Sequence, residues 1–428
     1  MSADIQTERV SLLTTSTTRR GAPAAVVLAA LLIARTFSDT AAIGGGAVSA
    51  LNLIITLGAI VMGFVFSLTP SGRGGRGFVP VLLVFTLVGC IFAVGTFGVQ
   101  YAIVGELLRF TSILGMAVIA RSAVQELGFE RLSALVLASG LPAVFILVVA
   151  LVTKSPLIYG AGTSRAFGTF NQTNGAAAFV ALYACLALYM LLRTKRPRYL
   201  IPLLVAMVAA VSTLSLGGLS ALLVGALVLL LGSAASRGVK LFALLLIAAG
   251  AVVAYASGIL SARLAELETT VSIDQVAAGQ TTNSLDWRFY NWKRLMDIWA
   301  EQPLQGWGLG STNAAIQPIG KQPHSEYVRA FVETGLIGVS ILVCVLLVFL
   351  VMTFAKSSEL SRWGKTIVVT TLAVVLTNAI ASNTISYVPA MYLAVIMFAI
   401  GFGDRRPALA GDASITSERG AIPLARTP

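Results

Sequence analysis

The chain is poor in charge. Asp, Glu, Lys and Arg together make up 11% of its 428 residues, where soluble domains carry about 25%. The two or three soluble domains that this length would ordinarily suggest are therefore excluded. Histidine is scarcer still, with His324 standing alone in the sequence. The three cysteines, Cys90, Cys185 and Cys344, lie far apart in apolar runs and form no CxxC pair. Neither a disulfide framework nor a zinc site is expected. No carboxylate cluster suited to a divalent cation is evident either, because Asp286, Asp297 and Glu301 are spread along one helical stretch. Basic residues outnumber acidic ones, 30 to 18. They sit in short clusters between apolar runs, whereas a nucleic-acid partner needs one continuous basic face.

What is abundant is apolar sequence, 57% of the chain. Runs of about 20 such residues cross a bilayer as helices. Hydropathy predicts an all-α polytopic membrane protein of about twelve spans, at 22–38, 47–69, 78–98, 100–120, 132–152, 171–192, 199–215, 217–232, 241–260, 333–354, 366–385 and 387–403. No cleavable signal peptide is expected, since the first apolar run follows Arg19 and Arg20 without a small-residue cleavage site. Basic clusters fall in every second connection: Arg19 and Arg20; Arg73 and Arg76; Arg121 and Arg131; Arg193 to Arg198; Arg237 and Lys240; Lys356, Arg362 and Lys365; Arg405 and Arg406. That alternation predicts that these loops and both termini are cytoplasmic. The expected organisation is a cytoplasmic tail at 1–21, spans one to nine in 22–260, an external loop at 261–332, spans ten to twelve in 333–403, and a second cytoplasmic tail at 404–428.

The long external loop between spans nine and ten is the place to look for chemistry, because loops of that length in tightly connected proteins are usually functional. It holds Trp287, Trp292, Trp299 and Trp307 together with His324. Residues 284–299 read as an amphipathic helix with Trp292, Leu295, Met296 and Trp299 on one face, resting at the membrane surface. Arg288 lies one turn ahead of that stripe. Its guanidinium suits a bidentate phosphate contact, and equally suits snorkelling to lipid headgroups.

Further along, Gly306, Gly308 and Gly310 form a GxGxG run with no preceding strand, so a nucleotide loop is rejected. Gly308 and Gly310 instead permit a tight turn or a close backbone approach to a ligand. His324 borders the outer edge of the tenth span, where it either is an ordinary polar side chain or titrates near neutrality. Arg329 and Glu333, spaced i,i+4, are expected to pair structurally. Glu106 and Arg109 in the fourth span are expected to form an internal ion pair. In the shorter external loop, Arg165 precedes a helix whose start carries Asn171 and Asn174. This reads as an anion-holding cluster at a helix N-terminus or as simple capping.

The ordered set RAFGTFNQTN (165–174), SLGGLSALL (215–223), the Arg-bearing loop helix, PLQGWGLGS (303–311) and HSEYVRAFVETGLIG (324–338) resembles the O-antigen ligase/polymerase superfamily of bacterial envelope glycosyltransferases. The resemblance is strongest over residues 160–340. It implies a bundle of the lipid-dependent glycosyltransferase type in the bacterial inner membrane, with its site facing the periplasm. It implies transfer of a glycan from an undecaprenyl-diphosphate-linked donor to a hydroxyl of a glycan or lipid-linked acceptor. Ligase and polymerase share that donor chemistry and differ in the acceptor. The resemblance assigns His324 as the catalytic base and Arg288 and Arg165 to the diphosphate, with no cofactor and no metal. Two positions depart from the family pattern: Ser325 stands where relatives often have Asn, and Leu216 stands where many have Arg after the serine. A secondary transporter or glycan-lipid flippase is the alternative, since such folds also have about twelve spans. Against it, paired broken helices are not apparent in the sequence.

Overall fold

The structure, a computed structural model, describes residues 22–38, 46–69, 78–155, 158, 165–256, 275, 284–313, 316, 319, 322–355 and 359–405. The regular elements among them are all helical, with isolated bridge residues at Ala166 and between Leu360 and Arg405. In chain order they are α1 (Pro23–Ser38), α2 (Gly46–Ser67), α3 (Phe78–Phe97), α4 (Tyr101–Thr153), α5 (Thr173–Thr194), α6 (Leu200–Thr213), α7 (Leu216–Gly232), α8 (Arg237–Ala256), α9 (Ser284–Trp299), α10 (Glu326–Phe354), α11 (Arg362–Ile380) and α12 (Val388–Gly403). Among the described residues, α2, α3, α4, α5, α10 and α11 are long and apolar enough to cross a membrane, while α1, α7 and α12, and α6 with the short turn before it, are apolar but shorter. The all-α membrane class follows from this. The expected tails at 1–21 and 406–428, most of the loop over 257–283, and the basic residues Arg73, Arg76 and Lys356 lie outside the described residues.

The centre of the bundle is α5. Apolar on every side and rich in alanine, it has little to offer water, and almost all of its apolar stretch is buried inside the protein. Small residues let those helices approach closely, as van der Waals packing in a membrane requires. A side chain on Gly218 of α7 would strike Ala177, and one on Gly225 would strike Val374 and Cys185. The one polar atom that Tyr183 carries into this core is satisfied, its hydroxyl donating to the Leu137 carbonyl at 2.7 Å. This packing fixes the N-terminal end of α5, and with it the start of the candidate site.

Two helical runs are broken. The 53-residue α4 has non-helical backbone at Gly128 (φ 73°), so the spans expected at 100–120 and 132–152 are two arms of one run. α10 begins at Glu326, seven residues before the expected 333, and breaks at Gly335 (φ 61°). Glycine reaches these angles without the steric cost of a Cβ. An isolated glycine in an apolar run is also tolerated in unbroken helices, which is why neither break is apparent from the sequence.

Candidate functional site

α9 forms where the loop sequence predicts it, and its aromatic face packs in part against the protein. Leu295 is fully buried, and Trp299 stacks edge-on with Phe331 of α10 at 5.8 Å between centroids. The Trp292 Nε1–H donates to the Pro323 carbonyl at 2.6 Å, and the Trp307 Nε1–H to the Ile298 carbonyl at 3.1 Å. A buried indole N–H needs such a partner, and for these two the protein supplies it. The tryptophans fasten α9 to the rest of the 284–331 region.

That fastening brings Arg288 to a cavity of about 240 Å³ whose lining also includes Arg165, Asn174, Ser215, Gly217, Ser220, Leu285 and Thr377. The Arg165 Nη2 donates to Asn174 Oδ1 at 3.0 Å and its Nε to the Thr213 carbonyl at 3.1 Å. Ser215 Oγ donates to the same Asn174 Oδ1 at 3.0 Å and accepts from the Gly218 amide at 3.3 Å, capping α7. Asn174 is thus a hub rather than a cap, because α5 takes Gln172 as its N-cap without a side-chain bond. The first turns of α5, α7 and α9 each contribute lining residues. Helix N-termini carry partial positive charge, so the cavity combines two guanidinium groups with three such ends. Leu216, next to Ser215, offers only an apolar wall. The basic residues of the described lining are Arg165 and Arg288.

His324 is not among the described lining residues, but it stands near enough to Arg288 to feel its charge. Its ring meets the edge of Trp287 at 5.3 Å between centroids. Its backbone is left-handed (φ 49°), which is uncommon for a non-glycine residue. Burial first, and then the charge of Arg288, hold its imidazole below the ordinary 6.5. The ring is consequently neutral at pH 7, the form in which it can accept a proton.

Gly308 and Gly310 make close approaches, and the partners are helix backbone. A side chain on Gly308 (φ 90°) would strike Ala93 of α3, and one on Gly310 (φ 87°) would press on Glu106 and Ile103 of α4. Neither glycine lines the arginine cavity.

The two ion pairs expected separately are joined. Arg329 pairs with Glu333 through Nε at 3.1 Å, with Glu106 through Nη2 at 2.8 Å and with Glu326 through Nη1 at 3.4 Å. Glu106 also pairs with Arg109, and Arg329 Nη1 donates to Ser386 Oγ at 3.0 Å. Glu333 Oε1 accepts from Thr312 Oγ1 at 2.6 Å. This buried cluster ties α4, α10, the 303–313 segment and the turn before α12 into one frame. Sequence spacing shows only the local pairs, since the contact between Glu106 and Arg329 is made in the fold.

Residues 201–343 match the family model described as O-antigen ligase, a stretch that contains Ser215, Arg288, His324 and Arg329 but not Arg165 or Asn174. No curated protein matches the chain. The match covers about a third of the chain and agrees, over that stretch, with the resemblance carried by the motifs.

Proposed function

We propose that the protein transfers a glycan from an undecaprenyl-diphosphate carrier to an acceptor hydroxyl, with the diphosphate seated between Arg165 and Arg288. The observation that carries this reading is the convergence of those two guanidinium groups, with Asn174, on one cavity. Arg165 comes from the segment before α5 and Arg288 from α9. Arginine forks match phosphate oxygens bidentately, and the helix ends around them favour the same charge.

In this mechanism the acceptor oxygen attacks the anomeric carbon of the donor sugar. The new C–O bond forms as the bond from that carbon to the lipid diphosphate breaks, and the diphosphate leaves with the electron pair. Arg165 and Arg288 stabilise the charge that gathers on it. The proton of the acceptor hydroxyl passes to the neutral imidazole of His324. Arg288 serves both ends, lining the cavity while its charge adds to burial in lowering the pKa of His324. The donor brings its own leaving group, so the reading needs no nucleotide and assigns no metal or cofactor.

The same reading puts the cavity on the periplasmic side of the inner membrane, with both termini in the cytoplasm, as the alternation of basic loops predicts. Its test is reconstitution with lipid-linked glycan and acceptor. His324→Ala is expected to stop formation of the new glycosidic bond while the protein remains folded and inserted. Near wild-type transfer by that variant would remove the imidazole from the mechanism. Movement of the lipid across the bilayer without a new bond would identify a flippase instead.

A further inference from the structure

Asn291 lies on the inward face of α9, one turn beyond Trp287, and is 2% exposed. A polar amide that deep needs partners, and its Nδ2 donates to the Gln322 carbonyl at 2.9 Å. The neighbouring Trp292 donates to the next carbonyl, that of Pro323. The two peptide groups leading into His324 are therefore both held by α9, the helix that also carries Trp287 and Arg288. His324 itself sits in left-handed backbone that a non-glycine residue leaves unless its surroundings hold it there.

We infer that Asn291 is a positioning residue for His324: with Trp292 it clamps the 322–323 peptides to α9 and fixes the imidazole at a set distance from Arg288. The inference rests on the proposed role of His324 for its effect on transfer, but not for its effect on the ring's surroundings. Without the clamp, the backbone of His324 relaxes from its left-handed conformation. The ring then moves out from Trp287 and Arg288, and the proton acceptor is displaced from the acceptor hydroxyl. Misplacement of a reacting group by about 1 Å can cost on the order of 100-fold in rate.

The experiment uses the full-length protein in lipid nanodiscs. Because His324 is the only histidine, labelling with ¹⁵N-histidine reports one imidazole. Asn291→Leu keeps the branched shape and removes the donor, whereas Trp292→Phe keeps an aromatic ring and removes the N–H together with part of the indole. In both, the His324 titration is expected to move up toward the ordinary histidine range. The kcat for transfer should fall while KM for the lipid-diphosphate donor stays the same, since neither residue lines the cavity. A titration and kcat unchanged from wild type in both variants overturn the inference. Should Asn291→Leu fail to fold, the milder Trp292→Phe decides alone. A shifted titration in a protein whose His324→Ala variant still transfers glycan would uphold the clamp and sink the catalytic assignment.

Discussion

Gly306 and Gly335 lie backbone against backbone, so that a Cβ on either would fall 2.5 Å from the amide nitrogen of the other. Between them passes an exchange of hydrogen bonds. An unbroken α10 would bond the amides of Leu336 and Ile337 to the carbonyls of Val332 and Glu333. Instead those carbonyls accept from Trp307 and Gly308, both at 2.8 Å, and those amides donate to Pro303 at 2.9 Å and Leu304 at 3.0 Å. The 303–308 segment thus takes over the bonds that the break at Gly335 releases. Backbone groups in a membrane have no water to turn to, so a break there needs such replacement.

Gly306→Ala and Gly335→Ala are expected to destabilise the protein strongly, each through the same contact. Left-handed backbone alone costs an L-residue about 1–2 kcal/mol, and the new methyl group must also push the facing peptide planes apart. Thermal unfolding in detergent should show a lower midpoint for each variant. The double variant should lose less than the two single losses combined, because the interlock is already broken by either one. Full additivity would mean that the glycines act independently.

The buried cluster makes a second prediction. Arg329 is shared by Glu106, Glu326 and Glu333, so Arg329→Leu leaves three carboxylates without their common cation. Removal of one partner from a buried ion pair costs about 3–5 kcal/mol. Glu333→Gln is the milder change, since an amide oxygen still accepts from Thr312. Expression and melting should fall in the order wild type, Glu333→Gln, Arg329→Leu. A fully stable Arg329→Leu would show that water or protonation relieves the cluster.

The helices are legible in the sequence because apolar runs of sufficient length have few other uses. Arg165, Asn174 and Arg288 are legible as residue types near helix starts, but their meeting in one cavity depends on how α5, α7 and α9 pack. Asn291 is hidden for a different reason. It reads as one more polar residue on an amphipathic helix, and only the fold shows that its side faces inward beneath His324. The breaks at Gly128 and Gly335 are hidden because hydropathy averages over a single glycine. Gly308 and Gly310 are legible as positions of close approach, but whether backbone or ligand approaches is set by tertiary contacts.

A third prediction concerns pH. The folded protein holds the His324 pKa below 6.5, and the base acts in its neutral form. Transfer should therefore rise with pH through a midpoint below 6.5 and stay level above it. Protonation on the acid side removes the acceptor for the hydroxyl proton. Arg288→Ala deletes the second of the two causes and leaves burial, so its midpoint should rise some of the way toward the ordinary value. A kcat profile with its acid limb above pH 7 in the wild type would contradict this assignment.

The two arginines should separate in their kinetics. Arg165 is already engaged by Asn174 and the Thr213 carbonyl, which presets its fork, so Arg165→Lys should lose nearly as much as Arg165→Ala. A lysine cannot reproduce a held, planar, bidentate contact. Loss of one charged hydrogen bond costs about 1.5–3 kcal/mol, equivalent to roughly a tenfold to hundredfold loss in kcat/KM for the lipid-diphosphate donor. Asn174→Asp should weaken donor use as well, because a carboxylate beside Arg165 competes with phosphate for the guanidinium. Arg288→Ala should add to a donor defect the pH shift described above, which Arg165→Ala should lack. Steady-state kinetics at two pH values distinguish these cases. Donor KM unchanged in both alanine variants would show that the diphosphate is held elsewhere.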